Sequence, residues 1–248
     1  MAIGTRSYAR GYLSSSGLPP GIRALLISNI AVFVITFFAG RRLTGTVDLL
    51  MLRPSDVVAH GYLWQLVTYM FLHQGIGHIL FNMLALWMFG TEFERLWGTR
   101  RFLNFYFFCG VGAGLCVILG NYLFGNPDIG TVGSSGAIFG ILLASAVMWP
   151  DRQMLFYFLI PIKMKYFVMI IGAIAFLNSF NPASPVSDVA HLGGMLFGYI
   201  FLKLPRMRGV DPIGALRESY NAWKLERAKK KFQVYMRKKG SDRDRTIH

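Results

Sequence analysis

Apolar residues in this chain gather into blocks separated by short polar or Gly/Pro stretches, and the blocks have the length of membrane-crossing helices. A ~30 Å hydrocarbon core takes about 20 residues of helix. Six spans are predicted on this pattern, at 24–39, 77–93, 102–123, 135–149, 166–178 and 189–204, the last three short for a full crossing. Breaks fall at Gly125-Asn126-Pro127, Trp149-Pro150, Pro161, and Asn181-Pro182 with Pro185. Segment 41–75 is amphipathic and long for a simple connection, so a structured insertion at the membrane surface is expected. The fold class that follows is all-α: a polytopic six-helix membrane bundle with a structured surface segment after its first helix.

Composition agrees with this pattern. Of 248 residues, 54% are hydrophobic and 15% charged, against about a quarter charged in soluble domains, and the mean hydropathy is +0.43. Residues 1–23 are polar and basic, with Arg6, Arg10 and Arg23, and the apolar block after them is too long for a signal-peptide core. Cys109 and Cys116 stand seven residues apart on one helix, about 10 Å, too far for a disulfide. They are expected to be packing residues.

Charge sets an expected orientation. With the N-terminus cytoplasmic, the inner side carries Arg6, Arg10, Arg23, Arg95, Arg100, Arg101, Arg152, Lys163, Lys165 and the tail, while the outer side carries only Arg41, Arg42 and Arg53. Positive charge marks the cytoplasmic face, so both termini are expected inside, at the inner membrane if the chain is bacterial. Residues 203–248 hold 14 Lys/Arg and 5 Asp/Glu, which is +9 of the net +14. Asp211-Pro212 is a helix start and Gly240 a stop, with Ile213, Leu216, Tyr220 and Trp223 at helical spacing. Two readings of this tail stand: a solvated basic helix, or one lying on anionic lipid headgroups, the second preferred. The expected organisation is thus a cytoplasmic segment 1–23, a membrane domain 24–204 and a basic tail 205–248. Nucleic acid is not an expected partner, because the positive-inside bias already accounts for most of the charge.

Polar groups inside a bilayer are costly and are functional candidates by default. Four stand out: His78 and Asn82 in the second span, Ser135 opening the fourth, and His191 near the start of the sixth. Counted from cytoplasmic boundaries at Glu92, Trp149 and Lys203, His78, Ser135 and His191 lie about 18–21 Å up a ~30 Å core. Asn82 is one turn deeper on the face of His78. Each has a plain structural reading when taken alone: packing for Ser135, a proton relay or interhelical donor for a histidine, interhelical adhesion for Asn82. Their shared depth favours a site.

Glycines strengthen that reading. Gly136 and Gly140 follow Ser135, and Ala190, Gly194 and Gly198 flank His191, two stripes that let helix backbones approach closely. A hydroxyl–imidazole hydrogen bond then becomes possible, the arrangement of a base-activated serine. Ser135 also begins a helix after the Gly-rich stretch Asn126 to Ser134, where unpaired N–H groups can receive an oxyanion together with His78 and Asn82. Gly-Ser-Ser-Gly is not the soluble hydrolase elbow, since Ala137 stands where that motif requires glycine.

The strings HILFN (His78 to Asn82), GSSGAIFG (Gly133 to Gly140) and AHLGGMLFG (Ala190 to Gly198), with their order and the insertion after span one, resemble the rhomboid family of intramembrane serine proteases over about residues 24–204. The resemblance implies cleavage of membrane-anchored proteins near the outer end of their transmembrane helices, with no metal or cofactor. It implies Ser135 as nucleophile, His191 as base, and His78, Asn82 and the Ser135 N–H as oxyanion hole, with Gly133, Gly136, Phe139, Gly194 and Gly198 in support. Two positions depart from the family pattern. Gln65 follows Trp64 where an arginine is common, which puts arginine-dependent bracing of that loop in doubt. Phe139 stands where some members have tyrosine, keeping the aromatic face for His191 without the hydroxyl. No acidic residue matches a third catalytic position, so a dyad is expected. Asp188 is read first as the cap of the sixth span, with orientation of the imidazole as the alternative.

A rhomboid-like scaffold that binds client helices without cutting them is the competing function; relatives of that kind lack the serine or the histidine. A transporter or channel is disfavoured by the few polar groups in the inner halves of spans four and six.

Overall fold

The computed structural model describes residues 17–156, 160–179, 187–204, 220 and 223–227. Contacts divide the chain into two compact units, Met1–Arg208 and Gly209–His248. In the second unit, Tyr220 and residues 223–227 are helical, and the Arg227 guanidinium lies 4.8 Å from the Trp223 ring centre. The remainder of the expected tail helix, with Asp211 and Gly240, lies outside the described residues, as do residues 1–16 and the break at Asn181-Pro182 and Pro185.

The first unit is mostly helical. Helix α1 (Pro20–Ala39) starts with a first-turn proline and continues through a 3-10 turn (Gly40–Leu43) into α2 (Thr44–Leu50), a helical run of 31 residues. The insertion therefore begins later than its amphipathic composition suggests. It comprises the short helices α3 (Pro54–His60) and α4 (Gln65–Thr68) with a 3-10 turn at Tyr69–Phe71. Next come α5 (Ile76–Ala85), a π-helical stretch Leu86–Gly90 and α6 (Thr91–Trp97), in one hydrophobic run from Ile76 to Trp97. Then follow α7 (Thr99–Phe124), α8 (Ser135–Met148), α9 (Met164–Asn178) and α10 (Ser187–Lys203). Among the described residues, three stretches, Pro20–Leu50, Ile76–Trp97 and Thr99–Phe124, are long and apolar enough to cross a membrane, and α8 and α9 are shorter apolar helices.

The all-α expectation needs one correction. Between α8 and α9, β1 (Gln153–Phe156) pairs antiparallel with β2 (Ile160–Lys163), with Gln153 opposite Lys163. Pro161 cannot continue a helix, and the aromatic and branched residues around it suit an extended chain. Arg152 and Glu92 form a salt bridge at the base of this hairpin, and Asp151 pairs with Lys163 and Lys165. Those two lysines hold the Asp151 carboxyl below its ordinary range.

Two buried side chains set the frame around the core. Glu94, at 2% exposure, accepts hydrogen bonds from the N–H groups of Gly21 (2.8 Å) and Ile22 (2.6 Å) and from the Thr99 hydroxyl (2.6 Å). A carboxylate on the unpaired donors at the positive end of α1 pins that helix to the α6–α7 corner. Gln65, fully buried, does comparable work in the insertion. Its Oε1 accepts from the Arg53 N–H at 3.0 Å, and its Nε2 reaches the Leu49 carbonyl at 3.3 Å and the Asp56 carboxylate at 3.4 Å. Trp64 Nε1 donates to the same Leu49 carbonyl at 2.9 Å. Bracing of this loop, put in doubt by glutamine standing where the family often has arginine, is supplied by the Gln65 amide itself.

Small residues set the packing of α7, α8 and α10. A Cβ on Gly140 would lie 3.0 Å from the Gly194 carbonyl oxygen and 2.6 Å from Cys109 Sγ, and one on Gly198 would lie 3.1 Å from Gly140 Cα. Cys109 and Cys116 are both free thiols in these contacts, with Cys116 against Gly193.

Candidate active site

The stretch before α8 is held from two sides. Leu52 and Thr131 exchange both backbone hydrogen bonds (3.0 and 2.8 Å), which ties it to the insertion. Further along, the Gly133 N–H donates to the Tyr69 carbonyl at 2.9 Å, and the Tyr69 hydroxyl donates to the Gly110 carbonyl of α7 at 2.7 Å. Gly133 has φ +120°, a conformation that disfavours any side chain. Even without that strain, its Cβ would meet the His78 ring at 2.7 Å and lie 3.8 Å from Asn82 Nδ2. His78 and Asn82, one turn apart on α5, therefore face the chain two residues before Ser135.

Ser135 is the first residue of α8, and its Oγ lies 2.9 Å from His191 Nε2 on α10. Phe139, one turn after Ser135, lies flat on the imidazole, with ring centres 4.0 Å apart and planes at 5°. On the other side of the ring, Nδ1 is 3.7 Å from Asp188 Oδ1, in the first turn of α10. The buried Asn82 Nδ2 makes no hydrogen bond among the described residues.

All the residues singled out from the sequence thus lie in one neighbourhood: Ser135 with His191 and Phe139, His78 and Asn82 against Gly133, and Gly136, Gly194 and Gly198 in the helix contact beneath. Sequence reasoning passed over His73. It is buried, sits edge-on to His78 with ring centres 5.1 Å apart, and lines a cavity of about 260 Å³ with Phe33, Met51, Gln74 and Val132. Its only signal was a second histidine five residues before His78, on no recognisable helix face. That cavity includes neither Ser135 nor His191. Among the described residues, no group of three or more His, Cys, Asp or Glu side chains is arranged to hold a metal ion.

A serine and a histidine paired between close-packed apolar helices define a site within an integral membrane protein. The rhomboid domain model matches residues 60–206, more than half of the chain, and the chain belongs to the rhomboid family. The rhomboid protease GluP of Bacillus subtilis is 34% identical over 176 residues, a match covering 68% of this chain and 32% of GluP. The putative rhomboid protease YdcA of the same organism is 35% identical over 145 residues, 58% of this chain and 67% of YdcA. The rhomboid protease AarA of Providencia stuartii is 30% identical over 195 residues, 70% of this chain and 68% of AarA. The chain thus spans only about a third of GluP.

Proposed function

We propose that the chain is an intramembrane serine protease that cleaves membrane-anchored proteins near the outer end of their transmembrane helices, using a Ser135–His191 pair. The observation that carries this reading is the 2.9 Å separation of Ser135 Oγ and His191 Nε2.

In the first step Ser135 Oγ attacks the scissile carbonyl carbon while its proton passes to His191 Nε2, and the carbonyl π pair moves onto oxygen. The Ser135 N–H, Asn82 Nδ2 and the His78 ring stabilise that oxyanion; one such donor contributes about 10²–10³-fold in rate. Collapse breaks the C–N bond, the protonated His191 gives its proton to the leaving amine, and water then hydrolyses the acyl-serine by the same route. Phe139 keeps the imidazole from rotating away from Oγ.

Around this site the six apolar blocks form six spans of a domain over 24–204, with both termini cytoplasmic, and the basic tail 205–248 lies on anionic headgroups. Cleavage of a transmembrane substrate in liposomes by wild type and Ser135→Ala tests the reading. Complete loss in the variant, with its melting temperature unchanged, is expected; equal cleavage by the two would refute it.

A further inference from the structure

Building on the protease reading, we propose that Asp188 is a positioning residue for His191: its carboxylate orients the imidazole through Nδ1 and stabilises the imidazolium formed when Ser135 attacks.

The geometry divides the ring's two nitrogens between two partners. Nε2 faces Ser135 Oγ at 2.9 Å, and Nδ1 faces Asp188 Oδ1 at 3.7 Å. Both side chains are largely buried, at 12% exposure for Asp188 and 18% for His191, so water screens their attraction weakly. A carboxylate beside Nδ1 favours the tautomer with its proton there, which leaves the Nε2 lone pair to accept from the Ser135 hydroxyl. As that proton arrives at Nε2 the ring becomes a cation, and the separation, longer than a hydrogen bond, shortens under the new charge. Position also favours this arrangement. Residues 188 and 191 are three apart on one helix, so they share a face, and Phe139 on the flat side of the ring leaves its edge turned toward Asp188. Among the described residues, the other ionisable group that acts on the imidazole is His78 of α5, and it cannot supply a negative charge.

A capping acid in the first turn of α10 is the competing role, and the two roles separate by substitution. Asparagine keeps the size and capping ability but not the charge; glutamate keeps the charge. Cleavage kinetics in liposomes of wild type, Asp188→Asn, Asp188→Glu and Ser135→Ala decide the matter, with melting temperatures recorded alongside. The expected result is a kcat about ten- to a hundredfold lower for Asp188→Asn, smaller than the loss in a tightly hydrogen-bonded triad because the contact is looser. KM stays within about twofold, and Asp188→Glu recovers most of kcat. Wild-type kcat in Asp188→Asn, glutamate no better than asparagine, or unfolding of both variants would overturn the proposal while an inert Ser135→Ala left the protease reading intact. Equal cleavage by wild type and Ser135→Ala would remove both.

Discussion

Gly194 of α10 lies directly on the Gly136 carbonyl of α8, with no room for a side chain between them. Gly136 follows Ser135 by one residue and Gly194 follows His191 by three, so this contact sets the distance between hydroxyl and imidazole. Any atom added at the crossing pushes the helices apart, and a shift of 1 Å at such a pair can cost about 10²-fold in rate.

Gly194→Ala is therefore expected to lower the melting temperature and to remove nearly all proteolytic activity. Gly172→Ala is the matched control, since among the described residues a Cβ there meets only Met195 side-chain atoms at 3.4–3.6 Å, an ordinary contact. Activity and thermal melts of the two variants, measured side by side, check the difference.

Phe139 acts through its ring face. Phe139→Tyr, which keeps the face and adds a hydroxyl, is expected to remain within about threefold of wild type. Phe139→Ala is expected to lose about three- to tenfold in kcat, in line with ~0.5–1.5 kcal/mol for an aromatic stack. Initial rates on one transmembrane substrate are the measurement.

Asn82 offers a buried donor beside Gly133 that has no hydrogen-bond partner among the described residues. If it receives the oxyanion, Asn82→Ala lowers kcat by about 10²-fold or more and leaves KM nearly unchanged, because the interaction strengthens only as charge develops. A change confined to KM would assign Asn82 to substrate binding instead.

Gln65 braces the insertion through three hydrogen bonds from a fully buried position. Gln65→Leu is expected to cost about 1–3 kcal/mol of stability by taking away the acceptor of the Arg53 N–H, while the Leu49 carbonyl keeps its bond from Trp64 Nε1. Hydrogen exchange across 49–68 should rise in the variant; unchanged protection there would contradict the role.

Much of this architecture was legible in the sequence because it rests on local rules. Apolar blocks near 24–39, 102–123 and 135–149 correspond to α1, α7 and α8 within a few residues, since in a chain this apolar helices satisfy their own backbone groups. Ser135 and His191 could be paired because glycines at fourfold spacing announce close helix contact. What escaped depends on contacts remote in sequence. Glu94 reads as an ordinary first-turn acid of α6, and its partners Gly21 and Ile22 lie more than 70 residues away. The β1–β2 hairpin was hidden because its strands are four residues each, QMLF and IPIK, too short to show an alternation of apolar and polar positions. Asp188 was legible with two readings, a cap first and a partner of the imidazole second, because spacing alone cannot separate a cap from an ion pair.

The central claim is that Ser135 is a nucleophile activated by His191, and reaction with a fluorophosphonate tests it most directly. Mass spectrometry of the labelled protein should place a single phosphonyl adduct on Ser135 in wild type. No adduct should form in Ser135→Ala, and labelling should be at least tenfold slower in His191→Ala. An unlabelled Ser135, or labelling at an equal rate without His191, would contradict the claim; with no cleavage of any transmembrane substrate, it would leave a helix-binding scaffold of the same fold.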